Sequence, residues 1–168
     1  KMLEARLLIE DTLKDGAVDI KVYYLPFLYD AEVQVSKDIT GLLGPSRLKL
    51  KNSELNDNNY SQQQIEGVLA AYSHRLSVLT GAPGTGKSTA IRGILELANK
   101  NGIDVALCAP TGRAAKRLGE ITGEDTSTIH RLLRYDGTER VFKAGKEVPI
   151  PSQLIIVDES SMVDIELG

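Results

Sequence analysis

Residues 79–90 read LTGAPGTGKSTA, and within them Gly81, Gly86, Lys87 and Ser88 fall at the spacing G-x-x-x-x-G-K-[ST]. The spacing has a chemical reason. Glycines let the backbone curl until several N–H groups converge on one anion, because only glycine reaches φ > 0 at little steric cost. The lysine then neutralises phosphate charge and the following hydroxyl ligates a divalent cation, which is the Walker A reading. The flanks agree. Arg75–Thr80 (RLSVLT) reads as a short buried strand, and Ile91, Ile94, Leu95 and Ala98 mark a helical stripe at i, i+3, i+4 and i+7. Strand, loop and helix put phosphates at a helix N-terminus, where the dipole and unpaired N–H groups favour anions.

A nucleotide held this way is expected to touch Gly81, Pro83, Gly84, Thr85, Gly86, Lys87, Ser88 and Thr89. Lys87 acts on the β- and γ-phosphates, and Ser88 on Mg2+. A second landmark completes the set. Leu154-Ile155-Ile156-Val157 is an apolar run ending in Asp158-Glu159, the form of a Walker B strand. A carboxylate at the C-terminal end of a parallel strand sits where such sheets bind ligands. Asp158 is placed to hold Mg2+, and Glu159 to polarise the attacking water.

Between these landmarks Ile103–Pro110 (IDVALCAP) reads as another buried strand, followed by a helix that opens at Thr111-Gly112-Arg113 and carries Lys116 and Arg117. Thr111 and nearby N–H groups could grip a nucleic-acid phosphate, although short basic clusters are usually solvated helix faces. Thr126–Leu133 (TSTIHRLL) reads as a short capped helix. Its His130 has no Cys or carboxylate at metal-ligand spacing, so the residue is either packed or phosphate-facing. Turn signals at Asp136-Gly137 and Ala144-Gly145 predict a hairpin-like excursion before the last strand.

Upstream, Ser61–His74 is expected to be a helix with Ile65, Val68, Leu69 and Tyr72 on one face. Ser61 and Gln64 stand at capping-box spacing; the same Gln64 could instead read an adenine edge through its amide. Residues 2–14 read as a short helix, 17–25 as a strand, and the stretch from Pro26 as a second helix ended by Gly44-Pro45. Tyr23, Tyr24, Phe27 and Tyr29 favour packing over base stacking, since only Lys21 is interleaved with them. The Asn/Asp/Ser cluster Asn52–Asn59 reads as an exposed linker, with a domain boundary near residue 52.

The 168 residues carry a net charge of −3, so any nucleic-acid contact must come from a local patch and not from the overall field. Cys108 is the single cysteine, which excludes an intrachain disulfide and suits a reduced cytoplasmic compartment. No apolar run approaches the roughly 18–20 residues that cross a bilayer.

The strings GAPGTGKST, CAPTGRAAKRL, STIHRLL and IIVDESSMVD, in that order, resemble motifs I, Ia, Ib and II of RecD-like helicases of superfamily 1. The match runs over residues 61–168, and YLPFLYDAE is similar to the end of the region preceding the motor in longer family members. The resemblance implies an ATP- and Mg2+-dependent translocase moving 5′ to 3′ on single-stranded DNA and opening the duplex at a junction. It implies an adenine contact for Gln64 within a Q motif, and strand contacts for Thr111, Gly112, Arg113 and His130. The expected fold is α/β: a RecA-like P-loop NTPase parallel sheet flanked by helices, forming an incomplete first motor lobe (53–168) after a small α+β element (1–52). Such motors close over ATP with a second RecA-like lobe carrying an arginine finger. A chain running from Lys1 to Gly168 is then a piece of a longer protein that does not unwind DNA alone and whose sheet is missing strands. Two other readings of the motifs are a non-motor P-loop regulatory module and the helicase part of a conjugative relaxase.

Overall fold

The computed structural model describes residues 7–55, 59–165 and 167. The chain divides into two compact units, Lys1–Leu42 with Val163–Gly168, and Leu43–Met162.

In the first unit, strands β1 (Ile9–Asp15) and β2 (Val18–Tyr24) form an antiparallel hairpin and α1 runs from Pro26 to Leu42. The helix expected over 2–14 is therefore a strand from Ile9 onward; its residues 2–6 lie outside the described residues. The reason is the turn. Asp15 pairs with Val18, so Gly16 and Ala17 make a two-residue loop with Gly16 at φ 60°, a hairpin conformation that glycine adopts freely. Asp15-Gly16 thus reverses the chain and does not merely end a helix. Tyr24 and Tyr29 pack edge to face at 5.4 Å, whereas Tyr23 and Phe27 are exposed.

The second unit is built around α3 (Lys87–Asn101), whose alternating small and aliphatic residues bury two faces. One face, Ala90, Ile94, Leu97 and Ala98, meets Val68 and Tyr72 of α2 (Gln62–Ser73). The other, Ile91 and Leu95, meets Leu107 of β3 (Val105–Ala109) and Leu118 of α4 (Gly112–Thr122). Full burial of Leu97, Val68 and Leu118 is worth on the order of 2 kcal/mol per side chain. Gly93 lets the helices approach, because a Cβ there would lie 2.8 Å from Val68 Cγ2. The predicted linker is tied down at its start. Asn101 Oδ1 accepts the N–H groups of Lys51 and Asn52, and its Nδ2 donates to the carbonyls of Asn52 and Leu97. Residues 56–58 of that stretch lie outside the described residues.

The sheet is parallel and three-stranded, in the order β4 (Thr126–Thr128), β3, β7 (Leu154–Val157). Helices α3 and α4 cover it, giving the α/β architecture expected of a RecA-like P-loop fold. Two expectations are corrected. Thr126–Thr128 pairs with β3, so only Ile129–Leu132 (α5) is helical, with Thr128 as its cap. Two threonines, both β-formers, find a strand edge beside them, and that tertiary pairing outweighs the helical pattern. Arg75–Thr80 is not a strand: Val78 is 81% exposed and Leu76 and Leu79 are open as well. An apolar run becomes a buried strand only when another strand accepts its backbone bonds, and among the described residues the sheet ends at β7. The predicted excursion is present as the small hairpin β5 (Tyr135–Asp136) and β6 (Val141–Phe142).

Candidate functional site

The glycine loop adopts the backbone its sequence demands. Gly84 and Gly86 take φ of 79° and 85°, in the left-handed region where a side chain is strained. Gly81 answers to space instead, since a Cβ there would meet Thr85 Oγ1 at 2.6 Å. Pro83 and Gly84 make the turn. The Thr85 hydroxyl and N–H both donate to Ala82 O, at 2.8 and 3.3 Å. Lys87 Nζ folds back to donate to the carbonyls of Gly81 (2.6 Å) and Ala82 (3.1 Å). Its ammonium is thereby held over the loop.

Gly86 is the N-cap of α3 and carries no side chain to accept from the first turn, which begins Lys87-Ser88-Thr89. Ser88 is exposed and Thr89 half-buried. An uncapped helix end reached through a positive-φ loop and roofed by an ammonium suits a polyphosphate. The residues present therefore fit a nucleotide, and the exposed Ser88 hydroxyl stands in the first turn of the helix they open.

Gln64 joins this loop. The capping box is formed: Ser61 Oγ accepts from Gln64 N and Gln64 Oε1 accepts from Ser61 N at 2.8 Å. The other half of the amide, Nε2, donates to Gly86 O at 3.2 Å. Sequence reasoning missed this bond, because a contact across 22 positions leaves no local pattern.

Strand register places the other candidates. Ala109 pairs with Thr128 and Cys108 with Val157, so Thr111, α5 and Asp158 all follow the C-terminal edge of one parallel sheet. Asp158 N donates to Cys108 O at 2.9 Å, and Asp158 Oδ1 accepts from Glu159 N at 3.0 Å. Glu159 is exposed at φ 51°, a left-handed conformation for a residue with a side chain. Cys108 is buried beside this edge, and burial pushes its thiol up to about 11.

Thr111 caps α4, its Oγ1 accepting from Ala114 N at 3.2 Å. Gly112 and Arg113 follow, both exposed, and Arg113 and Arg117 make no ion pair among the described residues while Lys116 faces Glu120 at 3.9 Å. His130 is exposed on α5 and touches Tyr135 and Phe142, with ring centroids 5.3 and 5.7 Å away. Its neighbours are aromatic, a setting that spacing in the sequence did not reveal. Among the described residues no group of three or more His, Cys, Asp and Glu side chains is arranged to hold a metal by itself. No described helix is long and apolar enough to cross a membrane.

A family model described as "AAA domain" matches residues 64–168. Over 103 residues the chain is 50% identical to the ATP-dependent RecD2 DNA helicase of Deinococcus radiodurans, covering 61% of this chain and 14% of that protein. It is 34% identical over 171 residues to the RecBCD enzyme subunit RecD of Mycolicibacterium smegmatis, covering 86% of this chain and 30% of the relative. With the ATP-dependent DNA helicase dda of Enterobacteria phage T4 it shares 38% identity over 95 residues, 53% of this chain and 22% of that one. The chain spans less than a third of the length of each of these relatives.

Proposed function

The chain belongs to the AAA-domain family and is RecD-like within it, and from that premise we propose that it is the nucleotide-binding part of an ATP-driven DNA helicase. Residues 53–168 supply the beginning of the first motor lobe, and residues 1–52 the end of an accessory region with its linker. The observation that carries the reading is the loop itself: Lys87 Nζ held 2.6 Å from Gly81 O above an uncapped helix end. The relatives known as DNA helicases support DNA as the substrate.

The roles divide by chemistry. Gly81, Pro83, Gly84, Thr85 and Gly86 shape the phosphate cradle. Lys87 neutralises the charge spread over the transferred group, and Thr89 lies in the same first turn. Ser88 and Asp158 would hold Mg2+, which when bound supplies further charge neutralisation to the phosphates. Glu159 orients and polarises the attacking water. Gln64 keeps one donor and one acceptor beyond its two bonds, the complement of the adenine N7 and N6 edge. Thr111, Gly112, Arg113 and His130 line a path for single-stranded DNA at the sheet edge. Polarity of 5′ to 3′, action at single-strand/duplex junctions, completion by a second RecA-like lobe and a cytoplasmic setting belong to the same proposal and rest on the family resemblance.

The test is ATP turnover by the intact parent protein with and without single-stranded DNA, alongside Lys87→Ala. Turnover stimulated by DNA and abolished by the substitution is the expected result. Turnover indifferent to DNA would overturn the motor assignment and leave a P-loop regulatory module.

A further inference from the structure

Gly86 O is an acceptor shared by two donors. Ala90 N reaches it at 3.1 Å as the first bond of α3, and Gln64 Nε2 at 3.2 Å from a different helix. A trans peptide unit is planar, so fixing the direction of a carbonyl fixes the N–H on the far side of the same bond. The N–H on the far side of this carbonyl is that of Lys87, the first amide of α3, where the loop ends. The contact is close-fitting as well as polar, because a Cβ built on Gly86 would lie 2.2 Å from Gln64 Nε2.

The amide is itself held. Its Oε1 is committed to Ser61 N, and α2 is anchored on α3 through buried Val68 and Tyr72. One turn beyond Gln64, Gly67 brings α2 against the chain entering the loop, where a Cβ would stand 3.2 Å from Leu79 Cδ1. Helix α2 therefore touches the phosphate loop on both its entering and leaving sides.

We infer that Gln64 is a positioning residue for the phosphate loop: through Gly86 O it sets the peptide plane that carries the Lys87 N–H, independently of any base it reads. The inference rests on the nucleotide reading of the loop and adds a role to it. The residue that discriminates the base also tunes the grip on the phosphates, which couples base identity to phosphate binding through a single amide.

The experiment separates these roles with a ligand that has no base. Three single substitutions are made in the intact parent protein. Gln64→Glu keeps the acceptor that a capping box favours but removes the donor, and Gln64→Met removes the donor without adding charge. Ser61→Ala loosens the cap alone. Amide hydrogen exchange over residues 81–90 is measured without nucleotide, and competition by inorganic tripolyphosphate against ATP is measured with Mg2+. A lost bond of ordinary net strength predicts loop exchange faster by roughly three- to tenfold and tripolyphosphate binding weaker by a similar factor. Both Gln64 variants should show this, and Ser61→Ala should not. ATP weakened with loop exchange and tripolyphosphate unchanged would make Gln64 a base contact only and overturn the inference. Equal effects from Ser61→Ala would assign them to helix fraying and overturn it too. A wild-type protein that binds neither ligand would defeat the nucleotide reading instead, and the exchange data would still decide whether Gln64 orders the loop.

Discussion

Gln64 and Gly86 are fitted to each other: the Gln64 amide donates to Gly86 O at 3.2 Å, and the glycine's missing Cβ is the space the amide occupies. Gly86→Ala therefore meets two obstacles at once. Its φ of 85° costs an alanine about 1–2 kcal/mol, and the new methyl must expel the amide. A urea titration should show stability lowered by at least about 1 kcal/mol, with ATP binding lost. Binding retained at wild-type strength would mean that neither constraint matters to the site.

Glu159 presents a trade between stability and chemistry. At φ 51° it sits where Asn is tolerated far better than Glu. Glu159→Asn is expected to raise stability by up to about 1 kcal/mol while stopping ATP turnover. Glu159→Gln should leave nucleotide binding intact and reduce turnover by roughly 10²–10⁴. Turnover within a few-fold of wild type in Glu159→Gln would remove Glu159 from the catalytic assignment.

Arg113 is exposed at the start of α4, beside the Thr111 cap, and makes no ion pair among the described residues. If it neutralises one DNA phosphate, Arg113→Ala lowers affinity alike for all sequences and reduces the log–log salt slope by about 1. ATP turnover without DNA should not change. Fluorescence anisotropy of a labelled single strand across a salt series measures both; an unaltered slope would make Arg113 a solvated surface residue.

Alkaline pH should weaken this fold in two stages. Burial raises the Cys108 thiol from 9.0 to about 11 and the Tyr72 hydroxyl from 10.0 to about 12. Both groups are neutral when protonated, so the native state keeps protons that the unfolded chain has released. Their stabilisation is complete below pH 9 and declines as pH rises through 9–11 for Cys108 and 10–12 for Tyr72. Urea midpoints at pH 8, 9.5 and 10.5 should fall, and Cys108→Ala should flatten the earlier part of the decline. Identical slopes in the two proteins would show that the thiol does not contribute.

What could be read from the sequence was what is decided locally. The glycine loop opening a helix, the Ser61–Gln64 box, the helix start at Thr111-Gly112 and the apolar run of β7 each depend on neighbours within a few positions, and the structure has each in place. The errors arose where a distant partner decides. Arg75–Thr80 has strand composition, but among the described residues the sheet ends at β7; Thr126–Thr128 has a helical cap pattern but lies beside β3, and Ile9–Asp15 is drawn into a hairpin by β2. The Gln64–Gly86 bond spans 22 positions, and the rings around His130 meet only because the β5–β6 hairpin pairs Tyr135 with Phe142, so neither follows a local repeat.

Asn101 carries a consequence of another kind. It precedes Gly102, the pairing in which an asparagine side chain is most readily attacked by the following peptide nitrogen and converted to aspartate. Here its carbonyl oxygen is engaged by two N–H groups, its amide nitrogen by two carbonyls, and Gly102 is fixed at φ 64° as the cap of α3. The fold thus protects its most perishable amide, and an aspartate there could no longer donate to Asn52 O or Leu97 O. Chemical ageing at this position would record the time each molecule has spent unfolded.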